Sequence, residues 1–334
     1  MESDLAFIWA GLIAFAVLAY VLLDGFDLGV AILFPFLADR KDRHLAMNTI
    51  APVWDGNETW LVLGGGGLLA VFPLAYAIVM PALYPLIIAM LLGLIFRGVA
   101  FEFVHRSDRM KPLWEIGFWA GSVIAALAQG MALGALVQGV HVEGRAYAGG
   151  NWDWLTSFSM LTAVALLAGY ALLGATWLIM KTEGGIHDRA VSLAIPLGGA
   201  FVVLIGAVSA ATLIQHPQYM ARWFGWPTML YTAAVPFLMA GVAWLFYSGL
   251  RDHNDSRPFL ATIAAFVLSY IGLGISFYPN IVPPSLTIAQ AAAPDASLGF
   301  LLVGALVLLP MILIYTGYSY WVFRGKIGHD DGYH

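Results

Sequence analysis

The chain has 334 residues, 61% of them hydrophobic and only 10% charged, with a mean hydropathy of +0.83 and a formal net charge of -5. A water-soluble domain carries about 45–50% apolar and about 25% charged residues, so an ordinary soluble enzyme, a disordered segment and a nucleic-acid binder are all excluded and an integral membrane protein is indicated. With no cysteine there is no disulfide, thiolate metal site, cysteine-ligated iron–sulfur cluster or cysteine nucleophile.

Glu2 and Asp4 precede the first apolar run, where a secretory signal would open with basic residues, so the first helix is expected to be retained. A helix crossing about 30 Å of hydrocarbon needs about 20 mostly apolar residues. Nine such runs follow one another, at 5–38, 60–77, 79–103, 116–140, 155–180, 190–214, 228–250, 259–278 and 298–322. The first would span about 50 Å as one helix, so it must tilt, protrude or stop near Pro35. Between Trp60 and Phe96 the apolar stretch is too long for one crossing; Pro73, Pro81 and Pro85 allow a break, expected near Ala77.

Basic residues stay on the cytoplasmic side of a membrane, which sets the orientation. Arg40, Lys41 and Arg43 follow the first run, Arg106, Arg109 and Lys111 the third, Lys181 and Arg189 the fifth, Arg251 and Arg257 the seventh, and Arg324 and Lys326 the ninth. The opposite loops hold only Arg145 and Arg222, with Trp152, Trp154, Trp223 and Trp226 at the depth of an outer aromatic belt. The N-terminus is therefore expected outside and the C-terminus in the cytoplasm. That outcome requires an odd number of crossings. No loop is long enough for a separate domain, so 1–334 reads as one membrane domain; the loop 280–297, rich in Pro and Ala, reads as a flexible cover.

Ionisable groups within a bilayer cost about 2.5–3.5 kcal/mol each and mark functional positions. Here they fall in the first and third runs and just ahead of the second. Asp24 and Asp27 are three residues apart, as are Asp55 and Glu58, so each pair shares a helix face, and Arg97 and Glu102 lie near the end of the third run. In the orientation above all six gather in the inner leaflet. Carboxylates there suit proton uptake from the cytoplasm. Two structural readings stand beside this: Asp55 and Glu58 have the spacing of a helix capping box, and Asp24 and Asp27 could simply neutralise Arg97. One arginine cannot satisfy four acids. Glu115 and Asp108 sit at loop edges and read as solvated.

His44, His105, His141, His187, His216, His253, His329 and His334 all fall in loops, at run ends or in the tail. A chain holding haem inside the bilayer would offer axial ligands within helices, so this chain is expected to ligate none. The tail GHDDGYH has weak metal-binding potential and reads better as a solvated terminus. Gly64–Gly67 is followed by no Lys-Ser/Thr, which rejects a phosphate loop in favour of close helix packing. Gln129 and Gln138 are placed to hydrogen-bond between helices.

The segments Asp24-Gly-Phe-Asp27-Leu-Gly29, Ala51-Pro-Val-Trp54-Asp55-Gly-Asn57-Glu58-Thr-Trp60-Leu and Phe96-Arg97-Gly-Val-Ala-Phe101-Glu102, in this order and spacing, resemble subunit II of cytochrome bd-type quinol oxidases. The wording around Asn57-Glu58-Thr59-Trp60 is most similar to the cyanide-insensitive branch. The resemblance implies an all-α membrane subunit of nine helices: a four-helix bundle over 5–140 that carries the carboxylates, a second over 155–278, and a ninth, peripheral helix over 298–323. It further implies a haem-bearing subunit I as partner, holding haems b and d, with ubiquinol or menaquinol and O2 as substrates. Some members bind a structural quinone or a small accessory subunit. Proton-route carboxylates carry over to Asp24, Asp27, Asp55 and Glu58, with Asn57, Arg97 and Glu102 as polar and charged partners. A proton- or cation-coupled transporter and a purely structural assembly subunit are the competing readings; a transporter would show inverted repeats with charges at the midplane.

Overall fold

The computed structural model describes residues 4–37, 39–104, 106 and 109–328. The chain start through Ser3, Ala38, His105, Asp108 and the tail with its weak metal-binding reading lie outside the described residues.

Long apolar helices make up the molecule. α1 (Asp4–Ile32) leads through a short 3-10 turn, Phe34–Phe36, into the amphipathic α2 (Arg40–Ile50). The overlong first run thus stops at Pro35, whose ring cannot continue the helix. α3 (Trp54–Val71) and α4 (Pro73–Val104) meet at Phe72, whose φ of -124° and ψ of 61° break the helical path. This break lies five residues before the expected Ala77. Pro73 occupies the first helical position of α4, where a missing N–H costs nothing, while Pro81 and Pro85 are absorbed inside the helix.

α5 (Lys111–Gln138), α6 (Ser157–Lys181) and α7 (Gly184–Gln215) follow. Next come the short α8 (Pro217–Phe224) and α9 (Met229–Thr232), then α10 (Ala234–Arg251) and α11 (Arg257–Phe277). The short α12 (Ile288–Ala291) and the long α13 (Asp295–Val322) close the chain. Among the described residues, eight helical stretches are long and apolar enough to cross a membrane: α1, α4 to α7, Met229–Arg251, α11 and α13. α3 is 18 residues long and opens on the polar stretch from Asp55 to Glu58, which sets it apart from the other eight.

The α5–α6 loop carries a hairpin of β1 (Val142–Glu143) and β2 (Ala146–Tyr147), turning at Gly144 with φ 62°. Residues 280–297 are packed rather than a flexible cover. β3 (Asn280–Val282) pairs with β4 (Leu286–Thr287), Thr287 caps α12, and Val282 and Ala291 are fully buried. The Ala293 N–H then donates to the Val71 carbonyl at 2.8 Å, satisfying the end of α3. Buried apolar side chains are what seat this almost uncharged loop.

α1 lies at the centre, against α3, α5 and α6, while α4 packs on α5 and α6 on both α7 and α11. Without a hydrophobic drive between helices in lipid, small residues let backbones touch. A methyl on Gly29 of α1 would run into the Tyr170 carbonyl and come within 2.7 Å of the Gly174 nitrogen of α6, and one on Gly93 of α4 within 2.6 Å of the Gly121 carbonyl of α5. Of the four-glycine run, Gly64 and Gly67 face Val17 and Ile13 of α1, whereas Gly65 and Gly66 face open space. α13 is the opposite case, with Leu298 its one buried residue among those described.

Gly29→Ala is therefore expected to lower thermal stability in detergent by the cost of overpacking, about 1–3 kcal/mol. Gly206→Ala, with nothing within 4 Å, should leave the unfolding midpoint unchanged or slightly raised. Equal midpoints for the two variants would contradict the close crossing.

Candidate functional site

Asp24 and Asp27 stand one turn apart on α1 and both are fully buried. α3 begins beside them and brings Asn57 and Glu58; α4 brings Arg97, 2% exposed. The Arg97 guanidinium donates through Nη1 to Asp24 Oδ1 at 2.5 Å and through Nη2 to Glu58 Oε2 at 2.8 Å. Its carbon lies 5.9 Å from the centre of the Trp54 ring. A buried cation is tolerated only with such charged and hydrogen-bonded partners.

Asp27 is held differently. The Asn57 side-chain amide donates to Asp27 Oδ2 at 2.8 Å and to the Leu23 carbonyl at 3.3 Å, and its own oxygen accepts from the Tyr320 hydroxyl of α13 at 2.8 Å. One oxygen of each aspartate, Asp24 Oδ2 and Asp27 Oδ1, is sealed from solvent without a hydrogen-bond partner. Glu58, 28% exposed, is the one member of the cluster that reaches the surface.

A second polar chain ends beside Asp24. Tyr170 of α6 donates to Gln129 of α5 at 2.7 Å, and Gln129 donates to the Tyr20 hydroxyl at 2.7 Å. Tyr20 is one turn from Asp24 on α1 and is buried next to it. Gln138 likewise bridges helices, donating to Gln215 at 3.1 Å and accepting from Thr156 at 2.6 Å.

Of the seven residues singled out in the sequence, five therefore meet: Asp24, Asp27, Asn57, Glu58 and Arg97. Two do not. Asp55 is exposed in the first turn of α3, and the expected capping box is not formed, because Val53 precedes the helix and no side chain caps it. Glu102 is 57% exposed and pairs with Arg106 at 4.0 Å along the outside of α4.

Tyr20, Tyr170 and Tyr320 were not singled out in the sequence. An aromatic residue in an apolar run carries no sign of its hydroxyl's partner, so nothing in the sequence marks them. Glu115 is different. It reads as a solvated loop-edge acid but is 6% exposed inside α5, with Arg40 at 3.0 Å, Arg43 at 3.2 Å and His44 at 3.4 Å. The spacing of those three on α2 places them on one helix face, and such a face needs an anion. The cluster clamps α2 against α5.

The family model described as "Cytochrome bd terminal oxidase subunit II" matches residues 5–323. The protein "Cytochrome bd-I ubiquinol oxidase subunit 2" of Escherichia coli (strain K12) is 31% identical over 98% of this chain and 96% of its own length. "Cytochrome bd ubiquinol oxidase subunit 2" of Bacillus subtilis (strain 168) is 29% identical over 97% of each chain. A chain of the solved structure "The structure of bd oxidase from Geobacillus thermodenitrificans" shares the fold, with a TM-score of 0.75 at 15% identity, covering 96% of this chain and 99% of that one.

The α2 clamp carries a pH dependence. Burial lowers His44 below its ordinary value of 6.5, outweighing the pull of Glu115. The unfolded chain takes up this proton near 6.5 and the folded one only at lower pH, so the stabilisation from neutral His44 is full above 6.5 and is lost as pH falls from there to the folded value. His44→Gln should flatten the fall of the unfolding midpoint between about pH 7 and 5. A parallel slope in both proteins would contradict this.

Proposed function

The chain belongs to the cytochrome bd terminal oxidase subunit II family, and from that premise we propose that it is the haem-free subunit of a quinol:O2 oxidoreductase. In this reading it stabilises a haem-bearing subunit I and helps to bring cytoplasmic protons to the centre that reduces O2 to water, without pumping. The chain is a multi-pass protein of the bacterial inner membrane.

In this reading α3 is a ninth crossing, the N-terminus is outside and the C-terminus is cytoplasmic. The gathering of Arg40, Arg43, Arg106 and Lys111 at the end of the molecule where α1 and α4 finish supports it. The two four-helix bundles are then 5–140 and 155–278, with α13 (298–323 in the expected division) as the peripheral helix. The packing of α1 with α3 and α5, of α4 with α5, and of α6 with α7 and α11 is consistent with that division.

The described residues offer no fit for a haem. The described histidines His44, His141, His187, His216 and His253 lie in α2, in loops or at helix ends, away from the interior of the apolar spans, so haems b and d are assigned to subunit I. A structural quinone headgroup finds no fit in the groove of about 230 Å³ between α1 and α13, whose lining of Leu12, Phe15, Leu302, Leu306, Leu309 and Leu313 is apolar. Ubiquinol or menaquinol, O2 and any small accessory subunit are met by the complex, not by this site.

A single observation carries the proton assignment: Asp24 and Glu58 bind one guanidinium, Asp27 is buried one turn from Asp24, and of the three acids only Glu58 reaches the surface. Fully ionised, the group would hold two uncompensated negative charges in an apolar surrounding, which favours a proton held within it. Glu58 serves as the entry, Arg97 as the fixed charge, and Asp24 and Asp27 as the interior carriers. Asp55 and Glu102, both exposed, form the approach from the cytoplasm.

In the assembled complex, Asp24→Asn is expected to cut quinol-driven O2 consumption by at least about tenfold at unchanged haem content. Wild-type turnover in that variant would leave the purely structural reading standing.

A further inference from the structure

Tyr320 lies on α13, the helix least engaged with the rest of the chain, yet its hydroxyl enters the carboxylate cluster. The hydrogen-bond directions there are fixed by elimination. The Leu23 main-chain carbonyl can only accept, so the group of Asn57 that faces it at 3.3 Å is the amide nitrogen. The Asn57 oxygen is thereby turned to Tyr320, which must donate its single proton at 2.8 Å. The same nitrogen then has its other proton directed at Asp27 Oδ2, at 2.8 Å. With that oxygen committed as an acceptor, a proton on Asp27 has one place left, Oδ1, which is sealed and unpartnered.

We propose that Tyr320 is a positioning residue: donating to the oxygen of Asn57, whose orientation the Leu23 carbonyl already sets, it locks and polarises the amide that donates to Asp27 Oδ2 and so tunes proton exchange at that carboxyl. The inference rests on the proton-uptake reading above and goes beyond it by naming the residue that locks the carrier's amide donor. The ionisable groups that face Asp27 are Asp24 on its own helix, Glu58 on α3, Arg97 on α4 and Tyr320 itself. Only Tyr320 reaches it through a neutral amide. The ring contacts of Tyr320 with Phe26 and Trp177, both edge-on at 6.4 Å between centroids, do not involve the hydroxyl and survive in phenylalanine.

The test uses the assembled complex carrying Tyr320→Phe, Asn57→Ala, the double variant, or Asp27→Asn, with haem content as the measure of assembly. Tyr320→Phe should leave KM for quinol unchanged and displace the pH profile of kcat for O2 consumption by about half a pH unit, the loss of one neutral hydrogen bond to the amide felt one step removed from the carboxyl group. Asn57→Ala should displace it in the same sense. The double variant should go no further than Asn57→Ala, since the tyrosine acts only through the amide. A Tyr320→Phe profile that superimposes on wild type overturns the inference, as does strict addition of the two displacements. Should Asn57→Ala not assemble, the Tyr320→Phe profile decides alone. Asp27→Asn separates the two levels: undiminished consumption there defeats the proton-uptake reading itself, whereas impaired consumption with an unmoved Tyr320→Phe profile defeats only the role of Tyr320.

Discussion

A guanidinium that is 2% exposed among apolar helices must be held by anions, and this constraint organises the first half of the molecule. Arg97 belongs to α4, its partners Asp24 and Glu58 to α1 and α3. Three helices are thereby fixed in rotation and depth at one point. The short α3 follows from the same requirement, because its first turn must present Asn57 and Glu58 toward α1 before the apolar part of the helix begins. Close contact of α1 with α6 at Gly29 and Gly174 then seals the cluster from the other side.

Much of this was legible in the residues. Hydropathy alone locates every long helix, since in lipid the backbone must satisfy itself and a run of about 20 apolar residues has one structural outcome. The charged pairs were legible for the same reason: an acid in an apolar run costs so much that it identifies itself. The glycine run was only half readable. Its composition indicates close packing, but helical rotation decides that Gly64 and Gly67 meet α1 while Gly65 and Gly66 do not.

What could not be read is which charges meet. Asp55 and Glu58 share a face by spacing, yet one turn of α3 carries Glu58 to Arg97 and leaves Asp55 exposed. Glu102 has the same local appearance as its buried neighbours but emerges on the outside of α4, where Arg106 is close. Glu115 went the other way, from an assumed solvated edge to the centre of three basic side chains of α2, because the partner was 72 residues away in sequence. The loop at 280–297 shows a further limit. Its Pro- and Ala-rich composition reads as a flexible cover, whereas Val282 and Ala291 find a surface to bury against.

The carboxylate cluster has a direction built into it. Both polar chains begin at a tyrosine hydroxyl, pass through a side-chain amide and end at one aspartate of the α1 pair: Tyr170 and Gln129 lead by way of Tyr20 toward Asp24, Tyr320 leads by way of Asn57 to Asp27. Each chain brings a hydrogen-bond donor to a buried acid without bringing in a second cation. Asp24 also meets the Arg97 guanidinium, whereas Asp27 meets the neutral amide alone, so the two acids of the α1 pair are held by different partners. In the proposed proton-uptake reading, these two differently held acids one turn apart, with Glu58 at the surface, are distinct positions along the route.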